Sequence, residues 1–238
     1  MTPVTAALAA LTGVLGVLVG AAVDRAAARY PWPPRKRSWR QREDTPDERG
    51  ESPPERHDRG GRAVVEVGTA VLFVLVALQF GASWELPAFL FLAGAAALLA
   101  VIDLQHHKLP NRVVVPSIGI GAPLLVVAAA GEHHWPSLLR AGLGAAVLFA
   151  VFLVLALISP RSLGMGDVKL AALLGLYLGW LGWGAVVLGA AAGFVVQAVV
   201  ALALLAARRV TLRGELPFGP AMLLGAALVI GWSGVLLR

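Results

Sequence analysis

Apolar runs of about 20 residues recur along almost the whole chain, and that feature leaves few folds open to it. A run of that length crosses the ~30 Å hydrocarbon core of a bilayer as an α-helix, with every backbone N–H and C=O satisfied inside the segment. The runs are too long, and alternate too little, for the tilted strands of a membrane barrel. Composition agrees: 58% of the 238 residues are hydrophobic and 14% are charged, where a soluble domain carries about a quarter charged. The expected fold is therefore all-α, a polytopic transmembrane helical bundle. Eight spans are expected, at about 3–23, 63–81, 86–104, 112–131, 138–158, 168–183, 185–206 and 217–236. The sixth and seventh nearly touch through "LGWLGWGA", which predicts a tight helical hairpin. Glycines four apart (Gly16/Gly20, Gly175/Gly179, Gly189/Gly193) suit close helix approach. Glycine is common in membrane helices, however, and each pair taken alone is read as background.

Three parts follow: an anchor at 1–23, a charged loop at 24–62 and a transmembrane core at 63–238. "YPWPPRKRSWRQREDTPDERGESPPERHDRGGR" (30–62) is rich in Pro, Arg, Glu and Asp and buries too little apolar surface to fold alone, so it is expected to be disordered. Residues 24–62 hold 11 of the chain's 20 basic residues beside 8 acidic ones. That mixed-sign run, rather than a basic face, carries most of the positive charge, so the net +6 does not point to nucleic acid. Lys108, Arg112, Arg161, Lys169, Arg208, Arg209 and Arg213 lie in or beside alternate later loops, and the intervening loops have none. By the positive-inside rule the basic loops face the cytoplasm and both termini lie outside. No basic residue precedes Arg25, so the first span reads as an N-out anchor rather than a cleavable signal peptide. There is no cysteine, which removes disulfides, thiolate chemistry and cysteine-ligated zinc together.

Beyond residue 62 only two aspartates remain, Asp103 and Asp167. One ends the third span and the other begins the sixth, so helix direction puts both at the cytoplasmic depth. Two carboxylates brought together cannot both ionise cheaply and share one proton. The ionised member can take a proton from water while the protonated one donates to a carbonyl oxygen, which is the chemistry of an aspartic peptidase. Plainer roles are open to each: Asp167 as an N-cap after a glycine turn, Asp103 as a partner for Lys108. Gly164 and Gly166 free the backbone before Asp167 and leave room for another chain beside it. Pro110 ends any continuation of the third helix, and Asn111 can cap the fourth.

The motifs "IDLQHHKLPN" (102–111) and "GMGDVKL" (164–170), followed by "LPFGPAMLLGA" (216–226), together resemble the prepilin peptidases, membrane aspartic proteases of the GxGD type. "GAAVDRAAARYP" (20–31) is a weaker match, with Asp24 where that family usually has Asn. The resemblance covers most of the chain outside 32–62. It implies a multi-pass protein of the bacterial inner membrane that cuts the basic leader from prepilin or pseudopilin precursors at the cytoplasmic face, with Asp103 and Asp167 as the catalytic pair. It further implies that Pro110, Asn111, Gly164, Gly166, Lys169, Pro217, Phe218, Gly219 and Pro220 shape the site or bind substrate. Many members carry paired Cys-x-x-Cys motifs in the loop after the first helix; this loop has none. Members also methylate the new N-terminus with S-adenosylmethionine, and nothing in 32–62 resembles a cofactor-binding fold. The peptidase chemistry itself needs no cofactor and no metal.

Other polar residues are read more plainly. Adjacent His106 and His107 diverge by about 100° on a helix and are taken as loop histidines rather than metal ligands. His133 and His134 fall in an outside loop. Lys169 suits either an anionic lipid or substrate or simple positive-inside placement. Glu66 and Gln197 are expected to pair between helices, and Trp180, Trp183 and Trp232 to form an interfacial belt. The competing class is a proton-coupled transporter using the two boundary aspartates, but the spans show no inverted repeat.

Overall fold

The computed structural model describes residues 3–29, 59–106, 109–159, 163–207 and 217–236. These form eight α-helices: α1 (Pro3–Arg29), α2 (Arg59–Phe80), α3 (Leu86–His106), α4 (Asn111–Glu132), α5 (Trp135–Ile158), α6 (Met165–Leu181), α7 (Trp183–Ala206) and α8 (Gly219–Leu236). Helices α1–α5 and α7 are long and apolar enough to cross a membrane. The other two are shorter. α6, with 17 residues, spans only about 26 Å at 1.5 Å per residue. It is also the most enclosed helix, buried almost continuously from Val168 to Trp180. Instead of eight like spans, six long helices accompany a short central one and α8.

The helices associate as pairs, α1 with α2, α5 with α6 and α7 with α8, and α3 links the first pair to α4 and α8. Small residues set these approaches. A Cβ on Gly16 would lie 2.6 Å from the Ala70 Cα, and one on Gly20 2.7 Å from the Glu66 Cα. On α6 a Cβ at Gly175 would meet the Gly144 backbone, and one at Gly179 would lie 2.6 Å from the Arg140 carbonyl oxygen. On α7, a Cβ at Gly189 would lie 2.5 Å from Leu178 Cδ1, and one at Gly193 3.2 Å from the Met222 Cα. All three glycine pairs sit at helix contacts, which corrects their reading as background. The hairpin expectation also changes. Only Gly182 separates α6 from α7, at a φ of 151° that favours glycine, yet α6 packs chiefly on α5 and α7 chiefly on α8.

At its C-terminal end α1 continues past residue 23 to Arg29, because the Ala-rich segment there favours helix. Arg25 Nε donates to the Ala21 carbonyl at 3.0 Å, and an Arg62–Asp24 ion pair at 2.9 Å joins α1 to α2. The charged segment therefore loses 24–29 and 59–62 to helices. The expected disorder of 30–58 lies outside the described residues, as do His107, Lys108, Arg161 and 208–216. Trp183 and Trp232 are exposed, but Trp180 is buried and its indole Nε1 donates to Glu85 Oε1 at 2.9 Å, so it belongs to the interior. Neither Glu66 nor Gln197 pairs with another helix among the described residues. The interhelical bond from Gln79 Nε2 to Ser233 Oγ, at 2.9 Å, does that work instead.

Candidate active site

Asp103 lies one turn before the end of α3, next to fully buried Ile102, and is itself only 4% exposed. Its Oδ2 accepts a hydrogen bond of 3.1 Å from the backbone N–H of Gly219, the first residue of α8. An N–H in the first helical turn has no partner inside its own helix, so the carboxylate satisfies a donor that the fold would otherwise strand. Gly219 is buried, and a Cβ there would lie 2.5 Å from Asp103 Oδ2 and 3.4 Å from Leu109 Cδ1.

Asp167 is half-buried in the first turn of α6. Gly164 is the N-cap, and Asp167 reaches back to it: the Gly164 N–H donates to Asp167 Oδ2 and the Asp167 N–H donates to the Gly164 carbonyl, both at 3.0 Å. The capping role weighed from sequence is thus real, from the third helical position rather than the cap itself. It engages one carboxylate oxygen. Gly166 needs its missing side chain, since a Cβ would lie 2.7 Å from Leu109 Cβ. Gly164 does not need it: the nearest atom to a Cβ there is 3.6 Å away, and its φ of −85° is ordinary. Only the second glycine of the motif makes room for a neighbouring chain.

Leu109 therefore touches the start of α6 on one side and the start of α8, beside Asp103, on the other. The three sequence motifs converge on it. Pro110 is the N-cap of α4, with ψ 131°, and Asn111 is the first helical residue. Proline's restriction of the chain before it sets the break. Asn111 does not cap: its Oδ1 accepts a 2.8 Å hydrogen bond from Lys169 Nζ, tying α4 to α6 two residues beyond Asp167. Lys169 is thus engaged by a side chain of the bundle. Pro217, Phe218 and Pro220 frame Gly219. The Phe218 ring lies 5.2 Å from Phe194 and 6.2 Å from Phe152. His106 ends α3, and no described group of three possible ligands includes it. Asp24 stands apart, on Arg62.

Sequence reasoning missed Leu109 because an ordinary leucine carries no signal of its own; its place between two glycine-bearing motifs was the only clue. It also missed a polar group at the opposite end of the bundle. There Glu85, Glu132 and His134 bring their side-chain ligand atoms within 4.8 Å of one another, the one such trio that could hold a cation among the described residues. Burial raises the pKa of Glu85 above the usual carboxylate range; the Glu132 charge adds to this, while the Trp180 hydrogen bond and His134 oppose it. Nearby, Arg140 Nε and Nη2 donate to the Gly179 and Trp180 carbonyls at 2.8 and 2.7 Å. It supplies the partners that the C-terminal carbonyls of α6 lack. A groove of about 520 Å³ runs along α1–α4, lined by apolar side chains such as Leu15, Phe73 and Phe91, with Arg112 as its charged residue.

Residues 89–207 match the model of the type IV leader peptidase family, a range that contains both Asp103 and Asp167. A prepilin leader peptidase/N-methyltransferase of Pseudomonas putida is 33% identical over 175 residues, 71% of this chain and 58% of that protein. One of the same name from Bacillus subtilis is 33% identical over 168 residues, 68% of this chain and 62% of that protein. One from Pseudomonas aeruginosa is 29% identical over 178 residues, 74% and 59% of the two chains. The chain thus spans about 60% of the length of these relatives. No solved structure matches it. Apolar helices and family agree on a multi-pass membrane protein: the chain belongs to the type IV leader peptidase family.

Proposed function

We propose that the chain is a membrane aspartic endopeptidase that removes the leader from prepilin-like precursors, with Asp103 and Asp167 as its catalytic pair. The observation that carries this reading is the convergence on Leu109. The end of α3 with Asp103, the start of α6 with Asp167 and the start of α8 with Gly219 meet around one side chain. In the reaction the ionised aspartate takes a proton from water as its oxygen attacks the scissile carbonyl. The protonated aspartate donates to the carbonyl oxygen. As the tetrahedral intermediate collapses, the C–N bond breaks, the departing amine takes the proton that water gave up, and a hydroxyl of the intermediate returns its proton to the other aspartate as the new carboxyl group forms. The site residues act through shape. Gly166 and Leu109 set how closely α6 comes, and the Lys169–Asn111 bond ties it to α4. The basic loops, rich in Lys and Arg, orient the aspartate end toward the cytoplasm.

Relatives carry the name N-methyltransferase, which implies S-adenosylmethionine. The groove along α1–α4 is a poor match for it: its lining is apolar apart from Arg112 and Ser117 and offers no carboxylate to a sulfonium. The proposal is confined to peptide hydrolysis. Purified protein incubated with a pilin-like precursor should release the leader, read as a mass shift of the product. A protein that leaves the precursor whole while moving protons across vesicles would overturn the proposal in favour of a transporter.

A further inference from the structure

We infer that Phe218 and Gly219 are positioning residues for Asp103: an aromatic anchor holds the first N–H of α8 on its carboxylate. This rests on the catalytic reading of Asp103. The Cα of Asp103 is fixed by α3, but the terminal torsion of an aspartate is broad, so the helix alone does not set the plane of the carboxylate. A dyad tolerates displacements of only about 0.5 Å. The hydrogen bond from the Gly219 N–H, a rigid donor, constrains that plane.

The local sequence makes that donor rigid. In Pro217-Phe218-Gly219-Pro220 the prolines have no N–H, which leaves Phe218 and Gly219 as the donors of the turn. The helix closes behind them through the Met222 N–H on the Phe218 carbonyl at 3.1 Å. The Phe218 ring packs with Phe194 of α7 and Phe152 of α5, and Phe152 and Phe194 stack at 5.7 Å. Two helices that carry neither aspartate thereby locate the start of α8. The absent side chain of Gly219 completes the arrangement, since a Cβ there would occupy space that Asp103 Oδ2 already fills.

Gly219→Ala is the direct test, with Gly225→Ala as the packing control. A Cβ on Gly225 would strike the α7 backbone at Gly193, away from Asp103. Gly219→Ala should lower kcat for a pilin-like precursor about 100-fold, leave KM within about threefold, and displace the pH–rate profile. Gly225→Ala should lower thermal stability, yet keep the wild-type profile in its folded fraction. Phe218→Leu should retain more kcat than Phe218→Ala, because a large apolar side chain partly keeps the anchor. A readout independent of cleavage is the infrared band of ¹³C-labelled aspartate that Asp103→Asn removes. That band should shift in Gly219→Ala and stay in place in Gly225→Ala. Wild-type kcat and an unmoved band in Gly219→Ala would overturn the inference. If the wild-type chain cleaves nothing, the proposed function fails, and the band still decides the positioning role.

Discussion

Single residues near the aspartates show how much of the site was legible and how much was not. Asp103 and Asp167 stood out because they are the only aspartates beyond residue 62, in a chain where an intramembrane carboxylate is costly. A capping role for Asp167 was legible too, read as an N-cap after a glycine turn, whereas the structure has it reach back to Gly164 from the third helical position. What sequence did not show is who donates to whom across helices. Lys169 on Asn111, Gly219 on Asp103 and Trp180 on Glu85 join residues 58, 116 and 95 positions apart. Bonds of that range depend on packing, which no local pattern encodes. Glu85 gives a prediction at this scale. Its raised pKa means that ionising it costs the folded state more than the unfolded one. Stability contributed by the protonated form is present at low pH and is lost as pH rises from about 4 through the folded value. Glu85→Gln keeps an acceptor for the Trp180 indole and removes the titration. Its melting temperature should match the wild type near pH 4 and exceed it modestly at pH 7, the gain being limited by the half-exposed position. Melting curves across that range check it, and a gain that shrank as pH rose would contradict the sign.

Among the elements, α6 departs furthest from expectation. Hydropathy marks an apolar run but not which neighbour it meets, so the short link at Gly182 suggested an α6–α7 pair where the structure builds α5–α6 and α7–α8. The deciding residues are small. Gly144 faces Gly175 and Gly179, so the two backbones come together where side chains would hold them apart. A Cβ at Gly175 would lie 2.9 Å from the Ala145 Cα, backbone that cannot swing aside. Gly175→Ala should therefore destabilise the bundle by about 1–3 kcal/mol through overpacking. Gly142→Ala, where a Cβ meets nothing within 4 Å, should be neutral or slightly stabilising. Thermal unfolding in one detergent compares the two, and equal melting temperatures would remove the close-approach account of α5–α6. Boundaries erred in the same physical sense. Charge composition marked 24–62 as loop, yet alanines and the Asp24–Arg62 pair carry α1 and α2 into it.

For the molecule as a whole, the all-α membrane fold class and six of the spans were legible, because the bilayer imposes length and polarity on the helices that cross it. The convergence of three distant motifs on Leu109 was not, since it needs the tertiary arrangement. Both meet in the fold: α3 carries Asp103 down, α6 carries Asp167 up from the same end, and α8 begins beside them. Leader cleavage by single aspartate variants, measured on purified protein with a pilin-like precursor, tests that claim most directly. Asp103→Asn and Asp167→Asn should each lower kcat by at least about 1,000-fold while the protein remains folded in the membrane, because an amide cannot exchange the proton. Asp24→Ala, which removes only the ion pair to Arg62, should keep its activity. Full cleavage by either Asn variant would contradict the dyad.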